Sequence, residues 1–299
     1  MKKKFLKFLS MILIAAMIVT GFTGLSGEQK ISAAERVRVY VTIADDTGAL
    51  VVRQQSVDVT DVDSDGKFTI YDTLYCAHEK YFKGGAEAGF AAGEVEGYEG
   101  KSLFKLWGIE NGGSYGYCLN DKFAWSLMDE VTENNYLNAY VFTDTVAYSD
   151  TYSFFESHVY GLKKNKTLKI KLFYYTYDEN FMPVAAPLTN ARLIINGNDT
   201  EYITNSKGYV KVKFEESGSY FISAVHPVTN IVAPSTLVFV KPAKGDEITV
   251  KGLTYTVTKN GTFEGKKGKV TISKAAAGSK KIPKTIEYAC IKYKVKVVD

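Results

Sequence analysis

Apolar and polar residues alternate with a period of two along most of the chain. Val37, Val39, Val41 and Ile43 alternate with Arg38, Tyr40 and Thr42, an Asp45-Asp46-Thr47-Gly48 turn follows, and a second apolar-rich stretch covers residues 50–59. This pattern predicts a β-hairpin. One segment breaks the period: Leu74, Ala77, His78 and Tyr81 recur at helical spacing, predicting a helix over residues 71–82 with Asp72 as its N-cap. Strand signals return at residues 102–109, 115–119 and 136–142, punctuated by Asn111-Gly112-Gly113 and Asn120-Asp121. Two strands, a helix and further strands without βαβ crossovers describe a small α+β domain.

Downstream the period is two throughout. Strands are predicted at residues 168–177, 191–195, 201–204, 209–214, 220–225 and 237–240, with Asn196-Gly197 as a hairpin turn, which describes a β-sandwich. Shorter strands at 247–250, 254–258, 269–272 and 293–298 describe a small β module. Gly252 to Val257 and Ile291 to Val295 echo one another, too few copies for a repeat array. The fold class is multidomain, α+β followed by all-β.

Composition excludes disorder and collagen, since 45% of the 299 residues are hydrophobic and 13% aromatic. Charge sharpens the domain picture. The chain carries +4, but Lys2, Lys3, Lys4, Lys7 and Lys30 against Glu28 place +4 within residues 1–34 alone. That segment has a basic head, an apolar run over residues 8–22 and small residues at Ser32-Ala33-Ala34, the layout of a secretory signal peptide cut before Glu35. The run is shorter than the roughly 18 to 20 residues a spanning helix needs, and no later segment is long enough to span a membrane. The neutral remainder divides into residues 35–160 at −12, residues 161–240 at +3 and residues 241–299 at +9. With the polar stretches at 161–166 and 241–246, these regions set domains of 35–160, 161–242 and 243–299. The asymmetry suggests distinct surfaces, or contact between an acidic head and a basic tail. An acidic first domain behind an export signal argues against nucleic acid. Cys76, Cys118 and Cys290 are too few for a disulfide framework and read as small core residues, with a Cys76–Cys118 pairing left open by spacing.

Residues 61–72 carry the sharpest chemical pattern. Asp61, Asp63 and Asp65 supply hard oxygen ligands at loop positions 1, 3 and 5, Gly66 permits the bend at 6, and the carbonyl of Lys67 faces the same centre at 7. Asp72 closes the loop at position 12, where the EF-hand pattern has a longer Glu, and Phe68 is an apolar anchor. The expected cofactor is calcium, with no organic cofactor assigned. The alternative is an Asp-rich turn capping a helix. Position 12 as Asp resembles the single calcium loops of dockerin modules.

No nucleophile elbow, Walker loop or His-Glu-x-x-His helix occurs, so the chain reads as noncatalytic. A hydrolase using His78 or the acids Glu94, Glu96 and Glu99 is the remote alternative. Aromatic residues beside glycines, with Trp107, Asn111, Tyr115, Tyr117 and Asn120 as the candidates, leave room for a small-molecule or sugar site.

The segment Leu106-Trp107-Gly108 through Asn120, the helix with Ala77-His78, and residues 139–155 resemble the secreted bacterial domain family related to the C-terminal domain of transcobalamin. The resemblance implies a β-grasp-like fold and a binding module, with a corrinoid as one ligand class, and no cobalamin-binding residue carries over. Residues 167–240, through Thr204-Asn-Ser-Lys-Gly208 and Gly218-Ser-Tyr220, resemble the carboxypeptidase-regulatory and transthyretin-like sandwiches, which implies a noncatalytic spacer or adhesion module. The tail, with Ile282-Pro-Lys-Thr-Ile286, is similar to segments leading into leucine-rich repeats of bacterial surface proteins. Together they imply a secreted or cell-surface binding protein whose partner is an extracellular ligand or surface component.

Overall fold

The computed structural model describes residues 36–273, 277–278 and 280–298. The expected signal peptide, residues 1–34, lies outside them. The predicted hairpin is present as β1 (Val37–Ala44) and β2 (Leu50–Val59), with Val37 opposite Val59 and Ala44 opposite Leu50. Helices α1 (Ile70–Tyr81) and α2 (Gly85–Gly89) follow, then a small hairpin of β3 (Ala91–Val95) and β4 (Tyr98–Lys105). Strands β5 (Tyr115–Leu119), β6 (Lys122–Phe123) and β7 (Tyr136–Val141) complete the unit. The sheet order is β2-β1-β7-β5-β6, with β1 and β7 parallel at its centre. This is the β-grasp arrangement: the first hairpin meets the last strand in the middle, and a helix covers one face. Along α1, Ile70, Leu74, Ala77 and His78 are buried, and the first three join Val39, Val41, Leu137 and Ala139 in one core.

Two local expectations need correction. The helix starts one residue early and its N-cap is Thr69; Asp72 is instead the third helical residue of a capping box, each of the two side chains bonding the other's backbone N–H. The strand expected over 102–109 ends at Lys105, because Trp107 and Gly108 take φ of 53° and 79° and turn the chain.

The boundary expected at residue 160 also moves. Strand β8 (Thr151–Phe155) pairs with β10 (Lys166–Tyr177) and β16 (Ile231–Val232), and β9 (Val159–Lys163) pairs with β17 (Thr236–Lys241), so the sandwich takes the chain from Thr151 onward. One layer is β11 (Pro183–Pro187), β10, β8 and β16, with β14 (Tyr209–Phe214) on the first half of β10. The other is β13 (Asn198–Ile203), β12 (Arg192–Ile195), β15 (Gly218–Val225), β17 and β9. Their inner faces interleave Ile170, Leu172, Val210 and Val212 with Leu193, Ile222, Val238 and Val240. The third unit is a single sheet ordered β18 (Glu247–Val250), β19 (Leu253–Lys259), β20 (Gly268–Ser273), β22 (Ile291–Val298) and β21 (Thr285–Tyr288).

Apolar and aromatic contacts join the units. Tyr136 of β7 stacks on His158 with ring centroids 3.9 Å apart and on Tyr40 at 5.1 Å, and it shares a core cluster with Ile248, Tyr255 and Tyr293 of the third unit. His158 Nε2 lies 2.9 Å from Asp121, and the buried hydroxyls of Thr42 and Ser235 meet at 2.9 Å across the first joint. The three cysteines are free thiols, and burial holds the Cys290 thiol up at about 12. Among the described residues no helix is long and apolar enough to cross a membrane.

Gly208 closes the turn into β14 with φ of 71°, and a Cβ there would lie 2.6 Å from the Leu172 carbonyl oxygen. Gly208→Ala therefore forces β10 and this turn apart. It is expected to lower the unfolding free energy by about 1–3 kcal/mol, measured as a drop in the urea midpoint of the intact chain.

Candidate metal loop and aromatic groove

The loop at residues 61–72 is built by its own side chains. Asp61 accepts the backbone N–H groups of Asp65 at 3.1 Å and Gly66 at 2.9 Å, and Asp65 accepts that of Lys67 at 2.9 Å. Gly66 has a φ of 85°, a left-handed turn that favours glycine. This folding gathers Asp61, Asp63 and Asp65 so that one carboxylate oxygen from each lies within 4.8 Å of the others. Asp63 Oδ1 is buried without a hydrogen-bond partner. Its Oδ2 holds the ammonium of Lys101 from β4, which also sits 3.9 Å from the centroid of the Tyr71 ring.

Asp72 does not join the three aspartates. Its side chain is fully buried, Oδ1 accepts from Val62 N–H at 2.8 Å, and Oδ2 accepts from Thr69 N–H at 2.9 Å and Thr69 Oγ1 at 2.6 Å. A buried carboxylate must be saturated in this way, and the shorter Asp side chain reaches the loop's own backbone. Position 12 is thus a structural clasp. The ammonium of Lys67 turns outward to Glu130 at 3.0 Å, leaving its backbone carbonyl as the group the pattern uses. Across a groove of about 390 Å³ from Asp63 and Asp65 lie Glu94 and Glu96 of the β3–β4 hairpin.

The aromatic candidates separate. Tyr115 and Tyr117 line an open groove of about 530 Å³ with Phe104, Glu110, Gly112 and Gly113. The other three are spent on the fold. Trp107 packs its ring on Phe82 and His78, with centroids 5.0 and 5.3 Å away. Asn111 ties its own loop through Ser114, and Asn120 Oδ1 accepts from Tyr136 N–H at 2.9 Å. The Tyr115 hydroxyl lies 2.7 Å from the carbonyl of Phe104 and 2.8 Å from that of Ile109.

His78 presents no free nitrogen to a substrate. Nδ1–H donates to the Leu74 carbonyl at 2.7 Å, Nε2 accepts from Trp107 N–H at 2.9 Å, and the rings of Phe90 and Trp107 flank it. Those bonds fix the neutral tautomer, and burial pushes its pKa down to about 4 against the opposing pull of the Leu74 bond. Lys101, the partner of Asp63, lies 38 residues away on β4, a separation at which no local pattern signals the pair.

No family model matches the chain and no curated protein matches it. Solved structures similar to it include the D0-D1 domain of intimin, at 13% identity and a TM-score of 0.24, covering 67% of this chain and 97% of that one. The N-terminal four Ig domains of Dscam1 isoform 7.44 match at 8% identity and a TM-score of 0.20, covering 68% of this chain and 44% of that one.

The unfolded chain takes a proton on His78 near pH 6.5, whereas the folded chain resists it until about 4. The stability that depends on His78 is therefore lost as pH falls through this window, by about 3 kcal/mol, and this one contribution is constant below it. The melting temperature is expected to fall more steeply between pH 6.5 and 4 than in a folded His78→Gln variant. Equal slopes in the two proteins would sink the assignment.

Proposed function

We propose that the chain is an exported, noncatalytic, modular binding or adhesion protein whose first unit is fixed by a calcium ion at residues 61–67. The observation that carries the calcium reading is the gathering of one carboxylate oxygen each from Asp61, Asp63 and Asp65 within 4.8 Å of one another, with Asp63 Oδ1 buried and unpartnered. The carbonyl of Lys67 and waters would bring the ligand count to the six to eight oxygens calcium takes. Asp72 supports the site by holding Val62 and Thr69, not by ligation. A weak site suffices outside the cell, where millimolar-range loops are used structurally. The expected signal peptide and the resemblance to transcobalamin-related, transthyretin-like and surface-repeat modules support the exported, surface-binding part of the reading.

Calcium added to the intact chain is expected to release or take up heat with a saturable profile and to raise the melting temperature; neither should occur after Asp61→Asn and Asp65→Asn. Lys101→Met removes a tethered competing cation and is expected to tighten calcium about two- to fivefold. Absence of both heat and thermal shift in the unmutated protein would overturn the calcium reading.

A second reading is favoured by the groove at Tyr115 and Tyr117: a small-molecule binder of corrinoid or carbohydrate type. Thermal shifts with a corrinoid and oligosaccharide panel should appear and be lost in Tyr117→Ala. No shift from any member would remove this reading and leave the calcium one untouched.

A further inference from the structure

The third unit holds a groove unrelated to the loop above. Its sheet curls so that β18 and β21, the two end strands, approach each other. Along that seam lies a groove of about 500 Å³ whose lining is mostly apolar, with Val250, Leu253, Tyr255, Pro283 and Ile286 among its walls. This volume is within the range of small-molecule sites, which typically combine apolar walls with a few placed polar groups.

Two observations define what it takes. Tyr255 is 1% exposed, lines the groove, and its hydroxyl is buried with no hydrogen-bond partner. An orphan buried hydroxyl forfeits the hydrogen bond it made to water in the unfolded chain, and a ligand acceptor would restore one. The rim is basic: Lys251, Lys280 and Lys281 border the groove, within a region that carries +9. Lys280 donates to the Gly252 carbonyl at 2.9 Å, while Lys251 and Lys281 are exposed and form no ion pair among the described residues. Glu287 also borders it, but stands opposite Lys292 in the β21–β22 register.

We propose that this groove binds an amphiphilic organic anion: a medium-length aliphatic carboxylate whose chain lies on Leu253, Pro283 and Ile286. Its head offers acceptors to the Tyr255 hydroxyl and the rim lysines. The aliphatic walls, with a single aromatic ring among them, favour an alkyl chain over a flat ring system. Charge on the rim selects a carboxylate over an alcohol or a quaternary amine.

Calorimetry of the intact chain with octanoate, octan-1-ol and octyltrimethylammonium tests this. Octanoate is expected to bind saturably at one site and more tightly than the alcohol, with no binding of the cation. Lys281→Glu should weaken octanoate about fivefold, and Lys281→Arg should not. Tyr255→Phe removes a hydroxyl that has no partner in the free protein, so it should leave the melting temperature unchanged or raised while weakening octanoate about two- to tenfold. Absence of saturable binding, equal binding of anion and cation, or octanoate affinity unmoved by both Lys281→Glu and Tyr255→Phe would overturn the proposal.

Discussion

The buried carboxylate of Asp72 is the constraint on which the candidate site depends. A charge withdrawn from water needs donors on every side, and Asp72 takes them from Val62 and Thr69 at opposite ends of the loop. The loop's ends are thereby fixed to the first turn of α1, and α1 is fixed to the sheet by Ile70, Leu74 and Ala77. With both ends anchored, the chain between them has only a tight turn available, and Gly66 supplies its left-handed residue. The convergence of Asp61, Asp63 and Asp65 follows from that closure. A side chain expected to ligate acts one step further back, by shaping the loop that would.

The strands facing one apolar layer were the most legible part of the fold. Tyr209 to Phe214 and Leu253 to Val257 alternate cleanly because one face is buried and the other is wet, whereas the polar side of Val37 to Ile43 is itself covered, with Thr42 buried and Tyr40 half-buried. Periodicity says nothing, however, about which sheet a strand joins. The aromatic-rich stretch at residues 151–155 reads as a continuation of the first domain, yet its register is set by Phe154 opposite Phe173 and by Thr151 opposite Ile231. Those partners are distant in sequence, so the domain boundary could not be placed from local pattern. The short strands β11, β16 and β21 escaped for a related reason: each depends on pairing with a longer neighbour more than on its own alternation.

The regional charges suggest either distinct surfaces or contact between an acidic head and a basic tail. The contact in the structure is of a different kind: Tyr40 and Tyr136 of the head lie against the apolar core of the third unit, and His158 stacks between the head and the sandwich. Stacked rings tolerate salt better than exposed ion pairs, so such a joint holds at ionic strengths where surface charges are screened beyond about a Debye length. The charge asymmetry is left available at the surface, acidic around the loop and basic around the seam of the third unit.

Within the loop, charge has two ways of being balanced. Three carboxylates this close repel one another, and nearby donors or cations offset that repulsion. Asp61 spends its oxygens on the backbone N–H groups of Asp65 and Gly66, which offset part of its charge and fix its direction. Asp63 receives the Lys101 ammonium on one oxygen and nothing on the other. The lysine therefore satisfies one of the two Asp63 oxygens, and it does so from a flexible stem on a hairpin of its own, braced by the face of Tyr71. A divalent ion placed among the three aspartates would meet a preformed backbone and one movable monovalent rival. The spacing of aspartates marks the candidate loop, but only the fold brings Lys101 to it, because the lysine stands on β4 and not in any pattern near residue 61.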